Sequence, residues 1–257
     1  MPVLCFHAGK VMNEWLCPGE SWDDLVRDGL GVIQPISGYR FAMDAVLLAY
    51  FAAGHPAIHI LDLGTGCGVI PLLLASRMPV AHVTGVEIQL EQADRARRSV
   101  VANGKQEQIN IISGDLKSSE LLAGHRYDLI TINPPFYPQG RGKLPAKDSV
   151  AVSRHEVLCT LSDIFIAVTR WLAPGGRFCL ILPPARQQEA LALAASVKLG
   201  LARFRAIHPR EHRDPNLLLM EFMGEDNIKV LDREPPLYVY QADGNYTPEL
   251  MAIYFTP

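Results

Sequence analysis

Two hydrophobic periodicities alternate along most of this chain. From residue 58 onward, short β-branched and apolar runs are separated by amphipathic stretches of helical length. The short runs predict strands at residues 58–62, 81–88, 109–113, 127–132, 177–182, 202–207 and 216–222. The amphipathic stretches predict helices at residues 68–77, 90–103, 155–171 and 186–199. This alternation is typical of an α/β fold in which helices cover both faces of one sheet.

The residues on either side of this pattern are less regular. Residues 1–57 predict an N-terminal cap that contains a hairpin strand at 29–35 and a helix at 44–53. We expect the cap to lie over the carboxyl edge of the sheet, where open α/β sheets bind their ligands. After Gly224 the pattern loosens into a segment that contains Pro and Tyr. The sequence therefore predicts a cap at 1–57, a core at 58–224, and a tail at 225–257 that packs on the core.

Composition narrows the class of protein. The chain has 257 residues, of which 49% are hydrophobic, and this is enough to bury one substantial core. No apolar run reaches the roughly 18 residues of a membrane span, and no secretory signal is visible. The five cysteines contain no CxxC pair, which favours reduced thiols in the cytoplasm over disulfides or a zinc ribbon. The net charge of −3 does not suit a general nucleic-acid binder, so any RNA must be held by a local basic surface.

A glycine-rich loop joins the first predicted strand to the first predicted helix. Residues 62–68 read DLGTGCG, with glycines at Gly64, Gly66 and Gly68. Glycines allow a sharp turn and a close approach of the backbone to a ligand. Their G-x-G-x-G spacing differs from the G-x-G-x-x-G pattern that binds a dinucleotide pyrophosphate. Asp62 ends the strand and is predicted to face the ligand crevice.

Two more acids follow the next two strands. Glu87 closes the second strand and Asp115 follows the third, and the apolar residues Ile88 and Leu116 come directly after them. A carboxylate in the first place can accept hydrogen bonds from both ribose hydroxyls of an adenosine ligand, and one in the second place from the adenine amino group. The alternative function for such a loop is dinucleotide binding, as in a dehydrogenase. This sequence, however, contains no loop that would bind the phosphates of a dinucleotide.

With these residues the chain resembles the S-adenosylmethionine-dependent methyltransferases of the Rossmann-like class, over about residues 58–224. The resemblance implies a seven-stranded sheet whose last strand is antiparallel. It also implies that S-adenosylmethionine binds at the glycine loop and the acids. A module that binds this methyl donor without transferring its methyl group is the non-enzymatic alternative.

The fourth predicted strand runs into an NPPF segment: Asn133, Pro134, Pro135 and Phe136. The segment is similar to the [D/N/S]-P-P-[Y/F/W] signature of methyltransferases that modify a planar NH₂ group. The Asn133 side-chain oxygen and the Pro134 carbonyl can each accept one N–H bond, which orients a weakly nucleophilic nitrogen toward the methyl donor. The prolines make the turn rigid, and Phe136 offers a face on which an extruded base can stack. The alternative is a strand that ends in prolines and buries its Phe.

The segment before the core separates the possible acceptors. QPISGYRFAMDAVLLA, at residues 34–49, resembles the same segment of bacterial methyltransferases that modify adenine N6 beside the anticodon of valine tRNA. The resemblance implies N6-methylation of a tRNA adenosine, with four further residues lining the donor pocket: Tyr39, Arg40, Phe41 and Asp44. For Asp44 the alternative is a carboxylate placed at a helix N-terminus, and for Arg40 a surface ion pair. Guanine N2 in ribosomal RNA stays open as an acceptor. The glutamine amide of release factors also stays open, although HemK-type enzymes carry a separate helical N-terminal domain.

Two basic segments are candidates for RNA contact. The loop after NPPF and the residues that follow it carry Arg141, Lys143, Lys147 and Arg154. The second group contains Arg203, Arg205, His208, Arg210, His212 and Arg213. Both segments are predicted to flank a base held at Asn133 and to contact phosphates, and the alternative is a solvated surface.

No metal site is predicted in HPREH, residues 208–212. Pro209 prevents a helix there, and the two histidines lack a second acidic or Cys partner. We therefore expect a cytoplasmic, monomeric tRNA-modifying enzyme that uses S-adenosylmethionine and needs no metal or membrane.

Overall fold

One large sheet organises the part of the chain that the structure describes. The computed structural model describes residues 14–37, 40–134, 159–228 and 230–255. Within these ranges the strands are β1 (Glu20–Asp24), β2 (Gly31–Pro35), β3 (His59–Leu63), β4 (His82–Glu87), β5 (Ile109–Ser113), β6 (Tyr127–Ile132), β7 (Leu172–Leu182), β8 (Leu199–His208), β9 (Leu217–Gly224), β10 (Asp232–Arg233) and β11 (Leu237–Tyr238). The helices are α1 (Met43–Ala52), α2 (Val69–Arg77), α3 (Leu90–Ala102), α4 (Leu161–Trp171), α5 (Gln187–Ser196) and α6 (Pro248–Phe255). The strands β1 and β2 form a hairpin apart from the main sheet.

Seven strands of the main sheet lie in the order β5-β4-β3-β6-β7-β9-β8. Adjacent strands from β5 to β7 are parallel, whereas β9 runs antiparallel to both β7 and β8. The short strands β10 and β11 extend the edge at β8. The predicted α/β fold, with seven core strands and an antiparallel last strand, is confirmed. Because the other six strands share one direction, the residues that follow them meet at a single carboxyl edge.

Helices cover both faces of the sheet and bury two hydrophobic clusters. Residues of α1, α2, α3 and α6 belong to the first cluster, and residues of α4 and α5 belong to the second. Neighbouring residues of β3 enter different clusters, Ile60 the first and Leu61 the second, because successive side chains of a strand point to opposite faces. The central strands are therefore buried on both sides, which explains why they read as continuous apolar runs.

Helix α1 packs into the first cluster. Eight of its ten residues are buried, Met43 is partly buried and Tyr50 is exposed. It contacts α2, the middle of the sheet and α6. Helix α1 shares its hydrophobic cluster with the sheet, so the packing does not mark a boundary between a cap and a core. The division at residue 57 remains a prediction.

The β1–β2 hairpin is fixed to α3. The Ile33 N–H of β2 donates to Ser99 Oγ at 2.9 Å. Both carboxylate oxygens of Glu20 accept from Arg98, which holds the pKa of Glu20 at about 2. The predicted strand at 29–35 is confirmed as β2. Its partner β1 was not predicted, because ESWDD contains a single large apolar side chain.

Three predicted elements begin three or more residues away from their predicted starts. Strand β8 begins at Leu199 rather than at residue 202. Strand β7 begins before its predicted start at residue 177, because Leu172 already pairs with Tyr127 of β6 ahead of an irregularity in the pairing. Helix α4 begins at Leu161, after an N-cap at Thr160 that forms a capping box with Asp163. Residues 155–158 of the predicted helix lie outside the described residues.

The residues after Gly224 are more regular than the sequence predicted. They contain β10, β11 and α6, and Leu250 and Ile253 of α6 join the first hydrophobic cluster. None of the helices in the described ranges is long and apolar enough to cross a membrane.

Candidate active site

The loop after β3 turns at three glycines with left-handed backbone conformations. Gly64, Gly66 and Gly68 have φ angles of 64°, 56° and 89°, which residues with a side chain rarely adopt. A Cβ added at Gly64 or Gly66 would meet no atom within 4 Å, whereas one at Gly68 would lie 3.2 Å from the Cβ of Ala96. The first two glycines therefore present bare backbone to open space, and the third allows close packing on α3.

Glu87, at the end of β4, holds this loop in place. Its Oε2 accepts from the Gly66 N–H at 2.9 Å, and its Oε1 accepts from the Gln89 N–H at 2.9 Å. The Thr65 N–H also donates to the Val86 carbonyl at 3.0 Å. Glu87 is 4% exposed. A carboxylate oxygen has two lone pairs, so Oε2 retains the capacity to accept from a ligand hydroxyl.

Asp62, at the end of β3, is fully buried against β6 and the loop. The Thr131 hydroxyl donates to Asp62 Oδ1 at 2.7 Å. Burial raises the pKa of Asp62 from 3.8 to about 7, and the nearby hydroxyls of Thr65 and Thr131 oppose this increase. Among the residues that the structure describes, Asp62 Oδ2 and Thr65 Oγ1 have no hydrogen-bond partner. The sequence predicted that Asp62 faces an open crevice, whereas its carboxylate is fully buried. Its role in donor binding remains a prediction.

The end of β5 contributes an exposed acid. Asp115 Oδ1 accepts from the Lys117 N–H at 2.9 Å, and 37% of the Asp115 side chain is exposed. The Gly114 N–H donates to the Glu87 carbonyl at 3.0 Å, which brings the ends of β4 and β5 together. Ile88 is 37% exposed, whereas Leu116 is buried. An exposed apolar side chain between two carboxylates can hold a purine nucleoside.

Asn133 and Pro134 follow β6 directly. They lie next to the glycine loop, because Ile132 pairs with Leu63 at the ends of β6 and β3. Asn133 is partly exposed and Pro134 is buried. The Asn133 side chain lies near enough to the carboxylate of Asp44 to lower its pKa. Pro135 and Phe136 of the same motif lie outside the described residues.

Asp44 reaches the end of β6 from the first turn of α1. The residue is 6% exposed, and the Ala45 N–H donates to its Oδ1 at 2.9 Å. Burial raises the pKa of Asp44, while the Asn133 side chain and the Ala45 N–H lower it. The structure therefore brings together two predicted site residues from segments that are far apart in the sequence.

The residues before α1 connect it to the hairpin. The Phe41 N–H donates to Gln34 Oε1 at 2.7 Å. Arg40 forms an ion pair with Asp23 of β1, and 39% of the Arg40 side chain is exposed. This is the surface ion pair that was the alternative to a role of Arg40 in the donor pocket. Tyr39 lies outside the described residues. The donor-binding roles of Arg40 and Phe41 remain predictions.

Arg203 and Arg205 of β8 are buried, and the prediction that they contact RNA is wrong. Arg203 donates to Glu221 Oε2 and to Glu234 Oε1, each at 2.9 Å. Arg205 pairs with Glu249 of α6. Their guanidinium groups are thus neutralised inside the protein and are not presented to a phosphate.

Arg210 and Arg213 lie exposed in the turn after β8. Because β8 is parallel to β6, this turn is at the same edge of the sheet as Asn133. His208 Nδ1 lies 2.6 Å from the Arg213 carbonyl, and His212 is exposed. The other predicted RNA contacts lie outside the described residues: Arg141, Lys143, Lys147 and Arg154. The described ranges contain no group of three or more His, Cys, Asp and Glu side chains that could hold a metal ion.

Thr131 is a site residue that was not predicted from the sequence. It is the polar residue near the end of the otherwise apolar run LITI, and it lies directly opposite Asp62 in the pairing of β6 with β3. A buried hydroxyl needs a hydrogen-bond partner. A Thr inside this apolar run was therefore the sequence signal that could have identified Thr131 as a site residue.

Known proteins resemble this chain in sequence and in fold. The family model described as methyltransferase small domain matches residues 43–191. A tRNA1(Val) (adenine(37)-N6)-methyltransferase from Porphyromonas gingivalis is 35% identical over 225 residues, which cover 83% of this chain and 86% of that protein. A protein of the same name from Aeromonas hydrophila is 30% identical over 210 residues, covering 81% and 85%. The crystal structure of a predicted O-methyltransferase from Agrobacterium tumefaciens matches with a TM-score of 0.66 and 25% identity, over 82% of this chain and 95% of that one. This chain therefore belongs to the methyltransferase small domain family, and it is similar over most of its length to the tRNA1(Val) (adenine(37)-N6)-methyltransferases.

Proposed function

We propose that this protein transfers a methyl group from S-adenosylmethionine to N6 of adenosine 37 in valine tRNA. Relatives with that named activity align over more than four fifths of the chain. The observation that carries the proposal is the position of Asn133 and Pro134, which end β6 beside the glycine loop at the carboxyl edge of the sheet.

The donor site has the features that an adenosine-containing ligand needs. The open faces of Gly64 and Gly66 allow the ligand to approach the backbone. Glu87 Oε2 has a free lone pair for a ribose hydroxyl, and Ile88 offers an apolar surface to the adenine ring. The exposed Asp115 can accept from the adenine amino group. S-adenosylmethionine, when bound, supplies an electrophilic methyl group on its sulfonium sulfur.

The acceptor site orients an amino group. The Asn133 Oδ1 and the Pro134 carbonyl each accept one N–H bond from the adenine, so that the nitrogen lone pair is aimed at the methyl group. The same two oxygens stabilise the positive charge that develops on nitrogen during transfer. No general base is needed, because the proton leaves to water after the new N–C bond has formed.

A base in a hairpin loop is already partly unstacked, so its extrusion costs less than extrusion from a duplex. Arg210 and Arg213 are exposed at the same edge as Asn133 and are suited to contact the phosphates that flank such a base. The basic residues between 141 and 154, which follow the motif in the sequence, are proposed to contribute further phosphate contacts.

The experiment measures where a labelled methyl group is transferred. The protein is incubated with labelled S-adenosylmethionine and an unmodified valine tRNA transcript, and the nucleosides are separated. We expect label in N6-methyladenosine, and none with a matched transcript that has guanosine at position 37. Ribosomal subunits and a release factor serve as competing acceptors. Label in N2-methylguanosine or in protein, with none in tRNA, would overturn the proposal in favour of the other amino groups.

A pair of asparagine variants then tests the site. Asn133→Ala should lose at least about 100-fold in transfer rate while it keeps its donor affinity, because its bond to the acceptor is made only during the reaction. Asn110→Ala, at an exposed position of β5, is the matched control and should retain the wild-type rate. Similar turnover in Asn133→Ala and wild type would remove Asn133 from the acceptor site.

A further inference from the structure

A second cavity lies between α1, α2 and β8, away from the glycine loop. Its volume is about 630 Å³, and its lining includes Tyr50 of α1, Arg77 of α2 and Arg203 of β8. Sites for small molecules commonly have volumes of about 300–1,000 Å³. We propose that this amino-edge cavity binds a small molecule through a carboxylate group. The inference goes beyond the methyl transfer proposed above and does not depend on it.

The amino-edge cavity is at the opposite end of the strands from the proposed donor site. Arg77 is the last residue of α2, a helix that begins after the carboxyl end of β3 and runs back toward the amino edge of the sheet. Gly54 and His55, which also line the cavity, precede the first residue of β3. Within the described ranges the lining contains none of the residues 62–68. A ligand in this cavity therefore leaves the glycine loop free.

Two buried N–H donors at this cavity have no hydrogen-bond partner among the residues that the structure describes. They are Nε of Arg77 and Nε of Arg203, and Arg203 as a whole is only 5% exposed. Within the same ranges, the other buried side-chain atoms in this condition belong to Asp62 and Thr65, beside the glycine loop. Buried polar groups in native proteins are nearly always paired, so two unpaired donors at one cavity indicate a bound ligand. Because N–H groups only donate, that ligand must present acceptor atoms.

The charge of Arg77 decides which kind of acceptor fits. Within the described ranges Arg77 forms no ion pair; it donates to the Ile253 carbonyl and lies 5.0 Å from the centroid of the Tyr50 ring. Burial, followed by the positive charge of Arg27, lowers the pKa of Arg77 to about 10, so the guanidinium is still charged at pH 7. An anionic oxygen would balance this charge and accept a stronger hydrogen bond than a neutral carbonyl can.

The other charges at the cavity limit the ligand to about one negative charge. Arg203 and Arg205 are already paired with glutamates. Asp232 and Glu234 also line the cavity, and they would repel a ligand with two negative charges. A carboxylate has a single charge and two acceptor oxygens, which match the charge of Arg77 and the two Nε–H groups. A phosphate monoester carries up to two charges and fits less well.

NMR spectra of the arginine Nε–H groups in ¹⁵N-labelled protein test the inference. The signals of Arg77, Arg203 and Arg126 are assigned through bonds to their own side chains. Sodium acetate is the probe, titrated to about 200 mM against sodium chloride at equal ionic strength, because a small anion is expected to bind in the millimolar range. We expect the Arg77 and Arg203 signals to shift with one saturating curve and the Arg126 signal to stay in place. No saturable shift at either donor would overturn the inference.

A pair of arginine variants shows whether the response belongs to the cavity. Arg77→Met keeps a long side chain without charge or N–H, and it should raise the acetate Kd reported by Arg203 at least about tenfold. Arg126→Met is the matched control, because Arg126 also lies at the amino edge and donates to backbone carbonyls, but it is exposed. Its Arg203 signal should respond as in wild type. An equal response in Arg77→Met would overturn the inference. If that variant does not fold, the wild-type titration decides alone.

Two further titrations distinguish the sources of an anionic oxygen. Sodium phosphate at the same ionic strength should bind more weakly than acetate, and tighter binding would overturn the carboxylate assignment. Valine tRNA transcript should leave both signals in place, and a shift would assign the two donors to an RNA phosphate instead. These spectra require no methyl transfer. A failed methylation assay therefore leaves the acetate result standing, and a failed acetate titration leaves the proposed function standing.

Discussion

Replacing Glu221 with glutamine would remove one negative charge from the protein interior without changing the size of the side chain. Glu221 is 3% exposed, and its Oε2 accepts from Arg177 Nη1 and from Arg203 Nη2, each at 2.9 Å. Arg203 would keep Glu234 as a partner. Arg177 would keep only the backbone carbonyls at residues 52, 55 and 56 among its described hydrogen-bond partners.

The magnitude follows from the charge that is left behind. Breaking a buried ion pair by removing one partner costs about 3–5 kcal/mol, because the remaining charge is desolvated and uncompensated. Since Arg203 retains a carboxylate and glutamine retains one acceptor oxygen, we expect the lower end, about 3 kcal/mol of unfolding free energy. For a chain of this size that corresponds to a decrease in Tm of about 10 °C.

Urea unfolding followed by circular dichroism at pH 7 measures this loss. Glu189→Gln serves as the control, because its ion pair with Arg186 is half exposed at the carboxylate and should contribute less than about 1 kcal/mol. A loss below about 1 kcal/mol in Glu221→Gln would refute the reasoning, since it would mean that the two arginines are adequately solvated without Glu221.

Three further predictions concern the edge of the sheet. Glu87→Ala should weaken S-adenosylmethionine binding by about 1–3 kcal/mol in calorimetry, because it orphans the Gly66 N–H and removes the ribose acceptor; unchanged affinity would contradict the donor site. Burial raises the pKa of Asp62 from 3.8 to about 7, so the folded protein retains a proton that the unfolded chain releases, and stability falls as pH rises between those values. Urea titrations from pH 4 to pH 8 should show that Asp62→Asn removes up to about 4 kcal/mol of this fall, and parallel curves would refute it. Replacing Arg210 and Arg213 with glutamine should weaken tRNA binding and lower the salt slope by about 1 for each contact; filter binding that shows an unchanged slope would remove them from the interface.

The sheet and the glycine loop were predictable because their sequence signals are local. The strands Ile109–Ser113 and Tyr127–Ile132 have the predicted bounds. Tyr127–Ile132 lies inside the sheet and appears as an apolar run with a clear end, and Ile109–Ser113 is a short β-branched run that stops before Gly114. The conformation of Gly64 and Gly66 was likewise implied by the residue type, because few other residues adopt such turns.

The positive charge of Arg203 and Arg205 did not reveal that these two side chains are buried. Arg203 and Arg205 stand on alternate positions of a strand and thus share one face, and Arg203 lies directly opposite Glu221 in the pairing of β8 with β9. As a basic cluster in the sequence, this segment predicted contact with RNA phosphates. Only the register of the strands and the position of α6 show that acids neutralise it.

The acids at the carboxyl edge differ from those elsewhere in how their charge is compensated. Glu20 and Glu221 are buried and each pairs with arginines. Asp44, Asp62 and Glu87 are also buried, yet within the described ranges none of the three forms an ion pair, and hydroxyl, amide and backbone N–H groups are their hydrogen-bond partners. Buried carboxylates without counter-charges are costly, so a protein keeps them where a ligand or a reaction uses them. A sulfonium donor carries a positive charge, and positive charge develops on the acceptor nitrogen as the methyl group moves. Glu87 beside the glycine loop therefore suits this reaction better than it suits the phosphates of a dinucleotide. Asp62 adds less negative charge, because burial raises its pKa to about 7.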